Sequence, residues 1–177
     1  TLIVGGADWN SIDGLTFLTL PPEEDNLIVT FHYYEPFLFT HQGANWVGPE
    51  IGTTGVVWPG PPPAEVTPIP AARKVEWVKM WFARYNQVSG SHNPASPEAI
   101  ERDFDRAAQW GQSHEVPLWL GEFGAYSKAD MGSRVRWTTA VRTAAETRGM
   151  GWAYWEFGAG FGVYDRKTGT WRTPLLE

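Results

Sequence analysis

The sequence contains no cysteine, only four histidines and little positive charge. The absence of cysteine excludes disulfides and thiolate chemistry. A membrane-spanning helix needs roughly 20 consecutive apolar residues, and no apolar run in this sequence approaches that length. The 14 Lys and Arg are outnumbered by 20 Asp and Glu, which gives a formal net charge of −6. Nucleic-acid phosphates need a basic surface, so we expect neither a nucleic-acid partner nor a membrane.

Aromatic residues, in contrast, are abundant. The chain has 177 residues, of which 42% are hydrophobic and 11 are tryptophan. This length and composition fit one globular domain with a substantial core. Tryptophans beyond the needs of a core often line a groove, because their rings stack on flat apolar faces such as those of sugars or nucleobases. The negative net charge favours a neutral ligand.

Four short apolar runs alternate with segments of helical periodicity. The runs predict strands near residues 2–6, 27–32, 116–121 and 151–156. Helices are predicted over residues 71–85, from an N-cap at Ser96 onward, and over residues 132–148. Such alternation is typical of βαβ units and a parallel sheet. Residues 37–70, rich in Gly and Pro, are predicted to form one long loop, and loops of that length tend to be functional.

Polar and aromatic side chains follow every predicted strand. Active sites of parallel α/β folds lie at the carboxyl ends of the strands, which share one face. Convergence there favours an active site over four unrelated polar turns. For Glu122 alone, the alternative is a residue that caps the following turn, and for Trp155 it is core packing. The strand-end residues are Asp8, Trp9, Asn10, His32, Tyr34, Glu35, Glu122, Trp155 and Glu156.

Four segments, in sequence order, resemble the cellulases (endo-β-1,4-glucanases) of glycoside hydrolase family 5. Residues 119–124 (WLGEFG) resemble the family's nucleophile strand, and residues 31–36 (FHYYEP) resemble its preceding His-x-Tyr strand. Residues 153–157 (AYWEF) resemble its last strand, and residues 5–10 (GGADWN) resemble the strand before the His-x-Tyr one. The resemblance implies a (β/α)8 TIM barrel and a retaining hydrolase of β-1,4-glucan, without metal or cofactor.

The resemblance also implies roles for individual residues. Glu122 would be the nucleophile, and Tyr34 would donate its hydroxyl to that carboxylate. His32 would contact sugar hydroxyls or the acid/base residue, and Trp155 would stack under the sugar at the cleavage point. The other candidate groove contacts are Trp9, Asn10, Trp46, Glu156 and Glu35.

One part of the family pattern is missing. The family's acid/base glutamate lies in an Asn-Glu motif at the end of its fourth strand, and no Asn-Glu pair occurs in this sequence. The matching strands are the last four of eight, so we predict a single half-barrel domain of four βα units over residues 1–177. Its open edges predict self-association into a homodimer or larger assembly. Either Glu35 or Glu156 replaces the missing acid, or a partner supplies the group, or the activity is feeble; our hypothesis is that Glu156 or Glu35 serves.

Three readings of the function follow. The chain is a β-1,4-glucan hydrolase fragment, a carbohydrate-binding remnant without turnover, or a folding unit that assembles into a barrel. Mannan and xylan stay open as substrates beside cellulose. The polymeric substrate predicts a secreted, extracellular parent enzyme, although the chain shows no signal peptide and enters directly into a predicted strand. His41, His92 and His114 are assigned to surface or capping positions, since they lack metal-ligand spacing.

Overall fold

Four parallel strands form one sheet in the computed structural model, which describes residues 1–177. The strands are hydrogen-bonded in chain order: β1 (Leu2–Gly5), β2 (Leu27–Tyr33), β3 (Leu118–Phe123) and β4 (Gly151–Tyr154). A separate antiparallel pair consists of β5 (Tyr164–Asp165) and β6 (Thr170–Trp171). The predicted α/β class and parallel sheet are therefore confirmed.

Three long helices connect and cover the strands. They are α3 (Glu76–Gln87), α4 (Pro97–Ser113) and α5 (Met131–Glu146). Ser96 caps α4 as predicted, because its side chain accepts a hydrogen bond from the Ala99 N–H at 3.2 Å. None of the helices combines the length and apolar character that a membrane crossing needs. Single turns form α1 (Ala7–Asn10) and α2 (Phe37–Thr40), and 3-10 helices lie at Asp13–Phe17, Pro49–Ile51, Ala72–Lys74, Gly90–His92 and Thr173–Leu175.

Several element boundaries differ from the predicted ones by one or two residues. Strand β3 begins two residues later than predicted, because Pro117 has no N–H for the ladder. It also ends two residues later, so Glu122 lies inside the strand. Strand β4 ends at Tyr154, two residues early. The helix predicted over residues 71–85 is interrupted at Val75, whose extended backbone (φ −104°, ψ 114°) separates a 3-10 turn from α3.

The two faces of the sheet have different environments. Phe31 and Tyr33 on β2 are buried against the helices, where both rings meet Phe104 of α4 edge to face at 5.6 and 5.1 Å. Side chains alternate along a strand, so His32 and Tyr34 point to the opposite face. The helix-covered face thus forms the core, and the other face carries the polar residues.

The loop predicted over residues 37–70 is tied down along its length. The buried Gln42 side chain pairs with both backbone polar groups of Val56, at 2.8 and 3.1 Å. The Tyr85 hydroxyl on α3 makes two such bonds to Val57, and the Asn86 amide makes two to Val66. The segment also contains α2 and the 3-10 turn Pro49–Ile51, so it is an ordered wall of the molecule.

Candidate active site

A register shift between β2 and β3 brings His32 and Glu122 side by side. Phe31 lies opposite Leu120, and His32 lies opposite Glu122, so Gly121 is the extra residue of a bulge. A β-carbon at position 121 would collide with the Thr30 Oγ1. Glycine at this position therefore permits the bulge that aims Glu122.

The Glu122 carboxylate lies beside two side chains, one on β2 and one on the residue that follows β2. The Tyr34 hydroxyl donates a hydrogen bond to the Glu122 Oε1. The Glu122 Oε2 lies 3.7 Å from the His32 Nδ1. Burial and then the hydrogen bond to Glu122 raise the pKa of Tyr34 well above its usual value. Tyr34 consequently stays protonated and acts as a fixed donor to the carboxylate.

A left-handed turn after β1 extends this cluster. The Asn10 Nδ2 lies 3.4 Å from the His32 Nε2, and donation from that amide leaves the ring proton on Nδ1, facing Glu122. Asp8, Trp9 and Asn10 have φ values of 50°, 54° and 59°. Such conformations are unfavourable for residues with a β-carbon and occur often at functional sites. The ends of three strands thus supply one connected group of side chains.

Three tryptophans around this cluster are exposed. Trp9 is 91% exposed, Trp46 is 63% exposed and Trp155 is 46% exposed. Trp46 rests edge-on against Tyr126 at 4.8 Å, and the Trp155 N–H donates to the Phe123 carbonyl at 2.8 Å. Exposed aromatic surface on a rigid support is typical of a binding site for flat apolar ligand faces. The exposure of Trp155 also argues against the alternative of core packing.

The other two predicted strand-end glutamates lie in different surroundings. Glu35 accepts a hydrogen bond from the Phe37 N–H at 3.1 Å. Desolvation, followed by the charges of Asp103 and Asp13, raises its pKa, although part of the side chain meets solvent. Glu35 therefore belongs with the carboxylates beside α4 and has no contact with Glu122.

Glu156 lies nearer to the Glu122 cluster. Its Oε1 accepts from the Phe161 N–H at 3.4 Å, and its negative charge is one of the causes that raise the pKa of Tyr34. The side chain is half-buried. Two glutamates were predicted as candidates for a replacement acid. Glu156 is the one whose charge acts on Tyr34.

His41 was not among the predicted site residues, yet its ring joins this cluster. It is the C-cap residue of α2, which agrees with its predicted surface or capping position. Its ring stacks on Phe37 at 4.1 Å and meets Tyr34 and Phe161 at 4.9 and 5.2 Å. Burial among these rings lowers the pKa of His41 from 6.5 to about 4. The i, i+4 spacing of Phe37 and His41 after the His32 strand was the available signal.

His114 behaves as predicted, because its Nδ1 lies 2.8 Å from the Trp110 carbonyl at the end of α4.

The arrangement defines a class of protein. A carboxylate fixed by a tyrosine hydroxyl at the carboxyl ends of parallel strands, with exposed tryptophans around it, is typical of carbohydrate-active α/β barrel enzymes. Residues 1–160 match the family model "Cellulase (glycosyl hydrolase family 5)". The chain belongs to this family, as the four sequence motifs predicted.

Individual relatives agree with the family match. Endoglucanase 3 of Fibrobacter succinogenes is 31% identical over 167 residues, which are 93% of this chain and 25% of that protein. A hyperthermophilic endo-β-1,4-glucanase solved in complex with substrate is 42% identical, with a TM-score of 0.74. An endoglucanase from Thermotoga maritima is 36% identical with a TM-score of 0.76 over 99% of this chain. The chain spans 45% and 46% of those two solved chains.

Proposed function

We propose that this chain carries the nucleophile side of a retaining endo-β-1,4-glucanase, with Glu122 as the nucleophile. The observation that carries the proposal is the hydrogen bond from the Tyr34 hydroxyl to Glu122. It holds one carboxylate oxygen, and the other lies 3.7 Å from the His32 Nδ1. In a retaining reaction that oxygen attacks the anomeric carbon, the bond to the leaving oxygen breaks, and water later hydrolyses the glycosyl-enzyme.

The neighbours of Glu122 have supporting roles in this proposal. Tyr34 positions the carboxylate. His32 and Asn10 line the same side and bind sugar hydroxyls or the acid/base residue. Trp155 stacks under the sugar at the cleavage point, and Trp9 and Trp46 extend the groove on either side of it, as their exposure supports.

The chain lacks the Asn-Glu motif that carries the family's acid/base glutamate. A retaining glycosidase needs a second carboxyl group about 5 to 5.5 Å from the first, and general acid catalysis is typically worth about 10² to 10⁴ in rate. Glu156 is the better replacement within this chain because it lies on the Tyr34 side. Glu35 is the weaker one, because its neighbours are Asp103 and Asp13.

A second function is favoured by the same gap. The chain has no Asn-Glu pair and spans less than half of the solved relatives. With the exposed tryptophans intact and no acid in place, the chain binds β-glucan and turns it over weakly or not at all. A folding unit that only assembles into a barrel would neither bind nor hydrolyse.

The substrate proposed is β-1,4-glucan. Solved structures of the Thermotoga maritima endoglucanase hold cellobiose and mannotriose, so mannan is the competing polymer to test, and xylan comes after it. A polymer of this kind is degraded outside the cell, and we propose an extracellular parent enzyme. We also propose that two copies pair their open sheet edges to complete an eight-stranded barrel.

The test is reducing-sugar release from soluble carboxymethylcellulose by this chain and by its Glu122→Gln variant, prepared identically. We expect release by the parent chain and none by the variant, with Glu156→Gln slower and Glu35→Gln unchanged. Calorimetric titration with cellotetraose runs beside it, with Trp155→Ala as the binding-deficient control. If neither protein releases sugar but cellotetraose still binds, the binding function replaces the hydrolase.

A further inference from the structure

The Thr40 hydroxyl determines where the proton of His41 lies. Thr40 is fully buried at the end of α2. Its Oγ1 lies 2.6 Å from the Tyr34 carbonyl and 3.0 Å from the His41 Nδ1. A carbonyl can only accept, so the single hydroxyl proton of Thr40 is donated to Tyr34. The oxygen must then accept from His41, which places the imidazole proton on Nδ1.

The other nitrogen of His41 is consequently an acceptor without a partner in the protein. The orphan buried polar atoms of the chain are the Trp58 Nε1, the Arg134 Nε and the Thr138 Oγ1. The His41 Nε2 is not among them and makes no hydrogen bond within the chain, so it reaches solvent. The aromatic neighbours of the ring are Phe37, Tyr34 and Phe161.

We infer that Thr40 locks His41 in the Nδ1–H tautomer, so that its Nε2 accepts a hydrogen bond from a sugar hydroxyl in the groove beside Tyr34 and Glu122. The sugar part of this inference rests on the proposed function, whereas the tautomer part does not. A neutral imidazole suits a neutral saccharide, because it offers an acceptor without adding charge next to the Glu122 carboxylate. Thr40 is a positioning residue that acts through His41 and the Tyr34 backbone.

The tautomer is measured by long-range ¹H–¹⁵N correlation spectra of the labelled 177-residue chain at neutral pH. We expect a protonated Nδ1 and a bare Nε2 for His41. Thr40→Val removes the acceptor with little change of shape, and we expect it to release the fixed tautomer, while Thr40→Ser restores it. A His41 ring protonated on Nε2 in the parent chain would overturn the inference, whatever the chain binds.

The sugar contact is measured by titrating cellotetraose into the same samples. We expect the His41 Nε2 resonance to shift on binding and His41→Phe, which keeps the stack on Phe37, to weaken binding about 3- to 10-fold. His114→Phe is the matched control, because His114 stacks on Trp110 at 4.0 Å with the same 19° interplanar angle as His41 on Phe37.

The possible outcomes separate the two proposals. If the parent chain binds cellotetraose and His41→Phe binds equally well, the inference is wrong and the proposed function stands. If the parent chain binds no cello-oligosaccharide, the proposed function and the sugar contact fail together. The Thr40-dependent tautomer is then judged by its spectra alone.

Discussion

At the residue scale, the position of Glu122 depends on the glycine that precedes it. Gly121 is the extra residue of the β3 bulge, and its missing side chain leaves room for the Thr30 hydroxyl. The bulge moves Glu122 into line with His32 and within reach of Tyr34. Because Gly121 has no β-carbon, the bulge can form and Glu122 lies beside His32 and Tyr34.

We expect Gly121→Ala to lower the unfolding free energy by about 1 to 3 kcal/mol, the usual range for overpacking. The measurement is urea unfolding followed by tryptophan fluorescence. Adding Thr30→Ala should recover most of the loss, because it removes the atom that the new methyl group meets. Gly132→Ala is the control, since its β-carbon would meet the Arg136 guanidinium at 3.1 Å and the Asp130 Oδ1 at 3.3 Å, both farther than the Thr30 Oγ1 from a β-carbon at position 121. Equal effects of the two glycine substitutions would contradict the explanation.

The buried imidazole of His41 predicts a loss of stability in acid. Its pKa is lowered from 6.5 to about 4 by burial, so the unfolded chain binds a proton that the folded chain does not. Stability therefore falls as the pH drops through 6.5 and stops falling below about 4. At 1.36 kcal/mol per pKa unit, the full effect is about 3 kcal/mol.

His41→Phe keeps the stacked ring and removes this titration. We expect the stability difference between His41→Phe and the parent chain to shift in favour of the variant from pH 7 to pH 4, as measured by urea unfolding at each pH. Glu35 and Asp103 have raised pKa values, which change stability with pH in the opposite direction. Their contributions are the same in both proteins, so they cancel in the difference. His114→Phe should follow the parent chain, and a pH-independent difference for His41→Phe would refute the prediction.

At the scale of elements, the segment over residues 37–70 behaves as a wall rather than a flexible loop. Side chains inside and outside the segment hydrogen-bond to its backbone. Gln42, within it, pairs with Val56. From α3, Tyr85 bonds to Val57 and Asn86 bonds to Val66. Arg136 and Ser133 of α5 bind the backbone of Trp58. This fixed backbone holds the Trp46 ring, which we propose as a groove contact, edge-on against Tyr126.

We expect Gln42→Leu to lower the unfolding free energy by about 2 to 4 kcal/mol, because it leaves the backbone N–H and carbonyl of the buried Val56 without partners. Hydrogen exchange should rise across residues 43–58 before the sheet exchanges. Gln112→Leu is the matched control, since Gln112 is exposed on α4. Slow exchange in the Gln42→Leu segment would show that other contacts hold the wall.

At the scale of the whole molecule, the sheet has two open edges. Strand β1 pairs only with β2, and β4 pairs only with β3. Leu2 and Ile3 on β1 are 57% and 62% exposed, and Trp152 on β4 is 37% exposed. Open edges with apolar side chains readily pair with another chain, and we propose that a two-fold axis joins β1 to β4 twice and so closes an eight-stranded barrel.

We expect light scattering to give a mass above that of a monomer at micromolar concentration. Ile3→Lys should shift the mass toward the monomer, because a charged residue on an edge opposes pairing. Trp77→Lys on α3 is the control, since Trp77 is 51% exposed but lies outside the sheet. A monomeric parent chain would contradict the prediction, and equal effects of both substitutions would show that the contact lies elsewhere.

The sequence by itself determined the parallel α/β class and the strand ends that carry the polar and aromatic residues. Strand and helix periodicities are local properties of the chain, and the family motifs are contiguous stretches around His32, Tyr34, Glu122 and Trp155. The Ser96 cap is likewise a local pattern. These features depend on neighbours only a few residues away, so the order of residues is sufficient to reveal them.

Only the tertiary structure decided how distant side chains meet. The family resemblance predicted the contact between Tyr34 and Glu122, which are 88 positions apart, but the bulge at Gly121 that brings them together is seen in the strand register. Glu35 follows the same strand as His32 and Tyr34 yet faces Asp103, whereas the ring of His41, which caps α2, packs against Tyr34. Strand register, alternation of faces and packing between distant segments set these contacts, because each depends on where another part of the chain lies in space.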